Sequence, residues 1–294
     1  MTEFFLNFVQ ALGVMICAPL VSGIIKKSKA RLQNRRGPGI FQPYFDLAKL
    51  LKKHSVTSTT VSWIFSLAPY IYFASALAAS SMIPVFSFSG GDLFLLIYML
   101  VLGRFFLVLA SLDAGSAFGG MGGAREIFIA VMVEPALLLA MCTVAVKAQA
   151  SSLGTMALSA AGSPFSPAYI FSAIAFFIVL VTETGRIPVD NPDTHLELTM
   201  IHEGMLLEYS GRKLALIMWA AAIKQMIMIL LFIVLFLPWN LFGAAGFTGI
   251  VLKIFLVAMV IAIGETSSSK MRLFKVPGFL AVSCLLSLLA LVAQ

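Results

Sequence analysis

Six of the 13 acidic residues fall between positions 183 and 208: Glu183, Asp190, Asp193, Glu197, Glu203 and Glu208. Arg186, His195 and His202 stand among them, and Pro188 and Pro192 prevent a regular helix before Asp193. Asp193 can cap a helix beginning at Thr194. Such a helix would put His195 and His202 on one face but about 10.5 Å apart along it, too far for one metal ion. Acids at this density beside apolar runs suit an interface or proton exchange better than a plain solvated loop. A second set lies within apolar runs: Arg104, Glu134 beside the kinking Pro135, and Lys224. A mid-span charge costs about 2.5–3.5 kcal/mol, so these groups suit a polar interior and an ion or proton route, or else a structural buried pair. Asp113, Glu183 and Glu265 close their runs, where a carboxylate is expected to reach water.

A third set precedes the second apolar run. Gly37, Pro38 and Gly39 set a tight turn after Arg35 and Arg36 and hold two guanidinium groups near the membrane surface. Residues 44–54 then have the pattern of a short amphipathic helix. Asp46, Lys49 and Lys53 lie on one face, and Leu47, Leu50 and Leu51 face away. It can lie on anionic headgroups or dock a peripheral subunit. The run Gly119-Gly120-Met121-Gly122-Gly123 lacks the preceding strand of a dinucleotide-binding turn, and a flexible connection is expected there.

The elements that must position these residues follow from composition. The chain has 294 residues, 60% hydrophobic and only 11% charged, with mean hydropathy +1.00. An ordinary soluble domain carries about 25% charged residues. A soluble enzyme, a disordered regulator and a nucleic-acid module are therefore excluded. Cys17, Cys142 and Cys284 are isolated within apolar runs, with neither metal-ligand nor disulfide spacing.

Eight runs are long enough to span a bilayer: 4–25, 63–85, 93–112, 127–146, 165–182, 214–237, 247–263 and 276–292. The odd-numbered connections hold 16 of the 20 Lys and Arg residues, so they are cytoplasmic and both termini face outward. The basic excess of +7 is thus a matter of topology. The expected fold class is an all-α integral membrane protein, a bundle of about eight transmembrane helices forming a single domain over 1–294. The two longest cytoplasmic connections, 26–62 and 183–213, are too short to fold a cofactor domain, typically about 100 residues.

The turn Arg35-Arg36-Gly37-Pro38, with Gln42-Pro43, Asp46 and Lys49, resembles the first cytoplasmic loop of the heel subunit of respiratory complex I, the NADH dehydrogenase subunit 1 family. Arg125 nine residues before Glu134, then Glu183-x-x-Arg186-x-Pro188-x-Asp190 and Glu208-Tyr209, extend the resemblance over most of the chain. Where the respiratory subunits carry a row of glutamates, this chain has Asp193, His195 and Glu197, and the stretch to Glu208-Tyr209 is longer. These departures fall on the loop that helps form the quinone chamber of complex I. In spelling, the segment is similar to the membrane anchor subunit of energy-converting NiFe hydrogenases and formate hydrogenlyases.

The resemblance implies a non-catalytic subunit of a multi-pass complex in the cytoplasmic membrane, binding no cofactor itself. It would dock a small iron–sulfur subunit and a NiFe large subunit on the cytoplasmic side and adjoin antiporter-like membrane subunits, linking redox chemistry to proton or sodium translocation. Glu134, Glu183, Asp190, Asp193, Glu197, Glu203, Glu208, Lys224 and Glu265 are the expected coupling residues. Arg35, Arg36, Asp46, Lys49, Arg125, Arg186, His195 and His202 are the expected interface residues. The alternative is a quinone-site heel subunit of complex I type. A self-sufficient transporter is disfavoured by the absence of a recognisable internal repeat.

Overall fold

Apolar runs in lipid must satisfy their own backbone hydrogen bonds, and here they do so as helices. The computed structural model describes residues 2–58, 60–85, 91–162, 166–191, 200–237 and 244–293. Among the described residues, seven helices are long and apolar enough to cross a membrane. They are α1 (Thr2–Leu32), α3 (Trp63–Ser81), α4 (Leu93–Asp113), α5 (Ala117–Ala148), α9 (Gly211–Phe236), α10 (Ala244–Ser267) and α11 (Val276–Val292). The eighth expected span is α7 (Pro167–Glu183), an apolar helix of 17 residues. Three short helices complete the set: α2 (Gln42–Lys52), α6 (Leu153–Ala161) and α8 (His202–Leu206). Among the described residues there is no β-strand, only an isolated bridge between Asp92 and Ser152. The fold is the expected all-α membrane bundle.

α9 forms the centre. It is apolar nearly all round, as a helix enclosed by other helices must be. It packs against α1, α3, α7 and α10 along its length and against α2 where the chain enters it. α11 closes the side formed by α5 and α7, and α10 packs against α1. α2, α8 and the turn after α7 gather at one end of the bundle, called here the loop face.

Two of the membrane helices contain a proline whose broken hydrogen bond is repaired from the same stretch of chain. Proline has no N–H, so the carbonyl four residues earlier is left without its helical donor. Pro19 frees Met15 O, which accepts from Trp219 Nε1 at 2.9 Å. Pro69 frees Phe65 O, which accepts from Tyr209 Oη at 3.0 Å. The Tyr209 ring also stacks on Phe65 with centroids 4.0 Å apart. Burial, with Asp113 nearby, raises the pKa of the Tyr209 phenol and keeps it a donor.

Three expectations about local structure are corrected. α5 begins at Ala117 rather than near residue 127, so the glycine run is helical and not a flexible connection. Ser116 caps it, accepting from Gly119 N at 3.2 Å. The glycines serve close packing instead: a Cβ on Gly122 would lie 3.0 Å from Ile201 O, and one on Gly123 would lie 2.4 Å from Ser111 Oγ. His202 begins α8, while residues 200 and 201 are not helical. A continuous helix from Thr194 through His202 is therefore absent. Asp193, His195 and Glu197 lie outside the described residues. α2 also starts two residues earlier than expected, with Pro43 in its first turn, where a missing N–H costs nothing.

Tyr209→Phe removes only the hydroxyl that serves Phe65 O, and should lower stability by about 1–3 kcal/mol. In a Pro69→Ala background residue 69 supplies its own N–H, and the loss on Tyr209→Phe should shrink to a few tenths. Thermal unfolding in mild detergent of the four proteins checks this; equal losses in both backgrounds would refute the repair.

Candidate functional site

Arg104 sits about 13 Å, nine residues, inside α4 from its loop-face end. Its side chain is only 8% exposed, and three carboxylates share it. Nη1 is 3.1 Å from Glu134 Oε1 and Nε is 3.4 Å from Glu126 Oε1, both carboxylates being on α5. Nη2 pairs with Glu183 Oε1 at the end of α7. Lys224 of α9 completes the group, its Nζ 2.8 Å from the same Glu183 oxygen. Lys224 thus pairs with Glu183 and not with Glu134, and the two meet only through Arg104. With every group ionised, two cations and three carboxylates leave a net charge of −1 inside the bundle.

Glu183 was expected to reach water as a helix-end residue. It does not, because α7 is short and stops where its neighbours continue; its side chain is 4% exposed. The turn that follows is drawn into the bundle. Arg186 Nη1 lies 3.0 Å from Glu265 Oε1 of α10, and Nη2 donates to Gln225 Oε1 at 2.9 Å. Lys29 of α1 reaches the other Glu265 oxygen at 3.1 Å. Ser22 Oγ donates to the same Gln225 oxygen at 2.9 Å. Arg186, expected at a subunit interface, is buried, and so is Glu265, expected at the water. Adjacent residues of α9, Lys224 and Gln225, therefore serve two different polar clusters.

Asp190 is also buried. It pairs with Lys270 at 2.7 Å, accepts from Asn191 N at 2.8 Å and lies 3.4 Å from His202 N. Glu183, Arg186 and Asp190, spaced by three and four residues, each bind a different part of the bundle. That spacing was legible as a motif; its meaning as three inward anchors was not.

The remaining expected residues divide by exposure. Arg35, Arg36, Asp46, Lys49 and Glu208 are exposed on the loop face, with Gln42 Nε2 donating to Asp46 Oδ1 at 2.9 Å. Arg125 is partly buried and donates to Met200 O at 3.2 Å, turned toward the acid-rich segment. Glu203 and His202 are partly buried. Glu126 was missed as a site residue because it lies just ahead of its apolar run and no local pattern marks it. Arg104 was visible as a lone mid-span cation, but its partners stand 22, 30 and 79 residues away.

Two cavities adjoin these groups. One of about 60 Å³ is lined by Tyr72, Arg104, Glu126, Glu183, Asp190 and Lys224, among others. The other, of about 370 Å³, opens beneath α2 between α1, α8 and α9, with Lys26, Arg186, Glu203 and Gln225 among apolar residues such as Pro19, Leu47 and Met218. Among the described residues no group of three His, Cys, Asp or Glu side chains is placed to hold a metal ion.

Arg104→Met leaves three buried or half-buried carboxylates sharing one lysine, and should cost about 3–5 kcal/mol of stability. Adding Glu183→Gln should recover part of the loss, since one uncompensated charge is removed. Melting temperatures in detergent give the comparison; a single mutant as stable as the parent would show that the cluster is not a coupled unit.

The NADH dehydrogenase family profile matches residues 6–294. The chain is 33% identical over 279 residues to formate hydrogenlyase subunit 4 of Escherichia coli (strain K12), covering 90% of each protein. It is 36% identical over 276 residues to hydrogenase-4 component C of the same organism, covering 90% of this chain and 87% of that protein. In fold it is similar to a chain of the membrane-bound sulfane sulfur reductase, an archaeal respiratory membrane complex, with a TM-score of 0.86, 20% identity and full coverage of both chains. A multi-pass membrane bundle whose profile match runs from residue 6 to its last residue, the chain belongs to the NADH dehydrogenase family.

Proposed function

We propose that the chain is the membrane anchor and coupling subunit of a cell-membrane complex of the energy-converting NiFe hydrogenase or formate hydrogenlyase type. The relatives named for those complexes support this reading. In it, the loop face and residues 26–62 and 183–213 are cytoplasmic and both termini lie outside, as the distribution of Lys and Arg favours. Exposed Arg35, Arg36, Asp46, Lys49 and Glu208 then meet a small iron–sulfur subunit and a NiFe large subunit. Those partners hold the redox groups, which supply electron transfer and hydrogen chemistry. Antiporter-like subunits flank the bundle in the membrane.

One observation carries the coupling role: a buried guanidinium is shared by three carboxylates inside a membrane bundle. Such charges are expensive in lipid and mark ion or proton routes. Arg104 cannot serve Glu126, Glu134 and Glu183 equally well, so a change of charge at the loop face redistributes its pairing. The buried anchors Glu183, Arg186 and Asp190 connect that face mechanically to the cluster. Glu203 lies on this side of the bundle, Asp193 and Glu197 belong by sequence to the same acid-rich stretch, and Glu265 ties Arg186 to α10.

A second reading is favoured by the larger cavity. Its volume of about 370 Å³ falls within the usual range of ligand pockets, about 300–1,000 Å³, and its lining is apolar with a few convergent polar groups. That suits a quinone-site heel subunit of complex I type.

Glu134→Gln removes a charge while keeping shape. The assembled complex should keep its hydrogenase activity with artificial dyes, while ion uptake into inverted vesicles falls about 100-fold or more; unaltered uptake would overturn the coupling role. Purification in mild detergent with metal and mass analysis separates the two readings. Nickel with iron–sulfur partners is expected, whereas flavin with bound quinone would establish the second.

A further inference from the structure

The two cavities are separated by very little. Three residues line both of them: Thr184, His202 and Ala221. Ala221 has no side-chain proton to move, and Thr184 already donates its hydroxyl to Leu180 O at 2.7 Å. His202 is the titratable member of the partition. Its Nε2 is buried and has no hydrogen-bond partner among the described residues. A buried polar atom left this way is costly unless water or a ligand completes it.

Both sides of the partition are suited to proton exchange. On the deep side, a space of about 60 Å³ with charged walls is roomy and polar enough for a few water molecules. It reaches Glu126, which is 18% exposed and held by one contact of 3.4 Å, the loosest of the three to Arg104. The cluster carries a net −1 when ionised, so it has capacity for one proton. On the other side, the larger cavity opens to the loop face and includes Glu203. The backbone of His202 is fixed from below, its N–H 3.4 Å from Asp190 Oδ2.

We propose that His202 is the proton-transfer residue between the open cavity beneath α2 and the buried Arg104 cluster. The imidazole accepts a proton from water in the open cavity, becoming imidazolium. It then returns to the neutral ring by releasing a proton through water in the small cavity to the Glu126 carboxylate. No bond other than N–H and O–H changes and no electrons are transferred. Neutral Glu126 releases its share of Arg104, whose guanidinium then strengthens its pairing with Glu134 and Glu183. Entry of the proton is thereby converted into a change of ion pairing deeper in the bundle. His202, expected from the sequence as an interface residue, acts instead one layer inside.

This inference rests on the coupling role proposed above, and the test distinguishes the two. In vesicles carrying the assembled complex, ion uptake per turnover is measured for His202→Gln, His202→Ala and, as reference, Glu134→Gln. Both histidine variants should lose about 100-fold in coupled uptake. Added imidazole should restore His202→Ala, which leaves room for it between the cavities, and should leave His202→Gln unchanged. Wild-type uptake in His202→Gln, or a loss in His202→Ala that imidazole does not restore, overturns the role of His202. If Glu134→Gln is uncoupled in the same preparations, the coupling reading survives that failure. If Glu134→Gln also takes up ions normally, both fall.

Discussion

A guanidinium removed from water must be compensated on several sides at once, and in this protein that demand fixes the relation of four helices. Arg104 on α4 is met by carboxylates from α5 and α7, and the α7 carboxylate is met in turn by Lys224 of α9. None of these charges is tolerable alone in lipid. Each is therefore a constraint on where its helix can sit, more directional than apolar packing between helices that lipid tails can imitate. The arrangement also leaves one cation serving competing anions. A cation held unequally by three anions is the kind of element whose pairing a nearby change of charge can bias.

The short α7 gives the cluster its second property. Because this helix ends early, the turn after it carries Arg186 and Asp190 into the bundle, and Glu265, Gln225 and Lys270 answer them. The acid-rich segment is thus an inward anchor at its start and an exposed surface near Glu208. Further on, Tyr209 and Trp219 repair carbonyls freed by Pro69 and Pro19. The same stretch of chain that borders the polar site also satisfies the carbonyls left open in two proline-containing helices.

Much of this was legible beforehand for identifiable reasons. The eight apolar runs, the short helix after the Arg-Arg-Gly-Pro turn and the all-α class follow from hydropathy and period, which are local. The start of α5 was misplaced because glycines argue against helix when their neighbours are unknown. Here Gly122 packs against the backbone at Ile201, far along the chain, and Gly123 against the side chain of Ser111 on the preceding helix. Glu183 and Glu265 were misjudged as water-facing because a helix end is exposed only if adjoining helices end at the same level.

What the order of amino acids determined alone was the solvent and the inventory. An 11% charged chain must live in lipid, its cations mark one face, and its few buried ionisable groups can be named. What only the tertiary structure decided was pairing. Which carboxylate holds Arg104, whether Lys224 meets Glu134 or Glu183, and which side chain stands between two cavities depend on the relative depth and rotation of helices. Those quantities arise from packing summed over the whole bundle, and no window of sequence contains them.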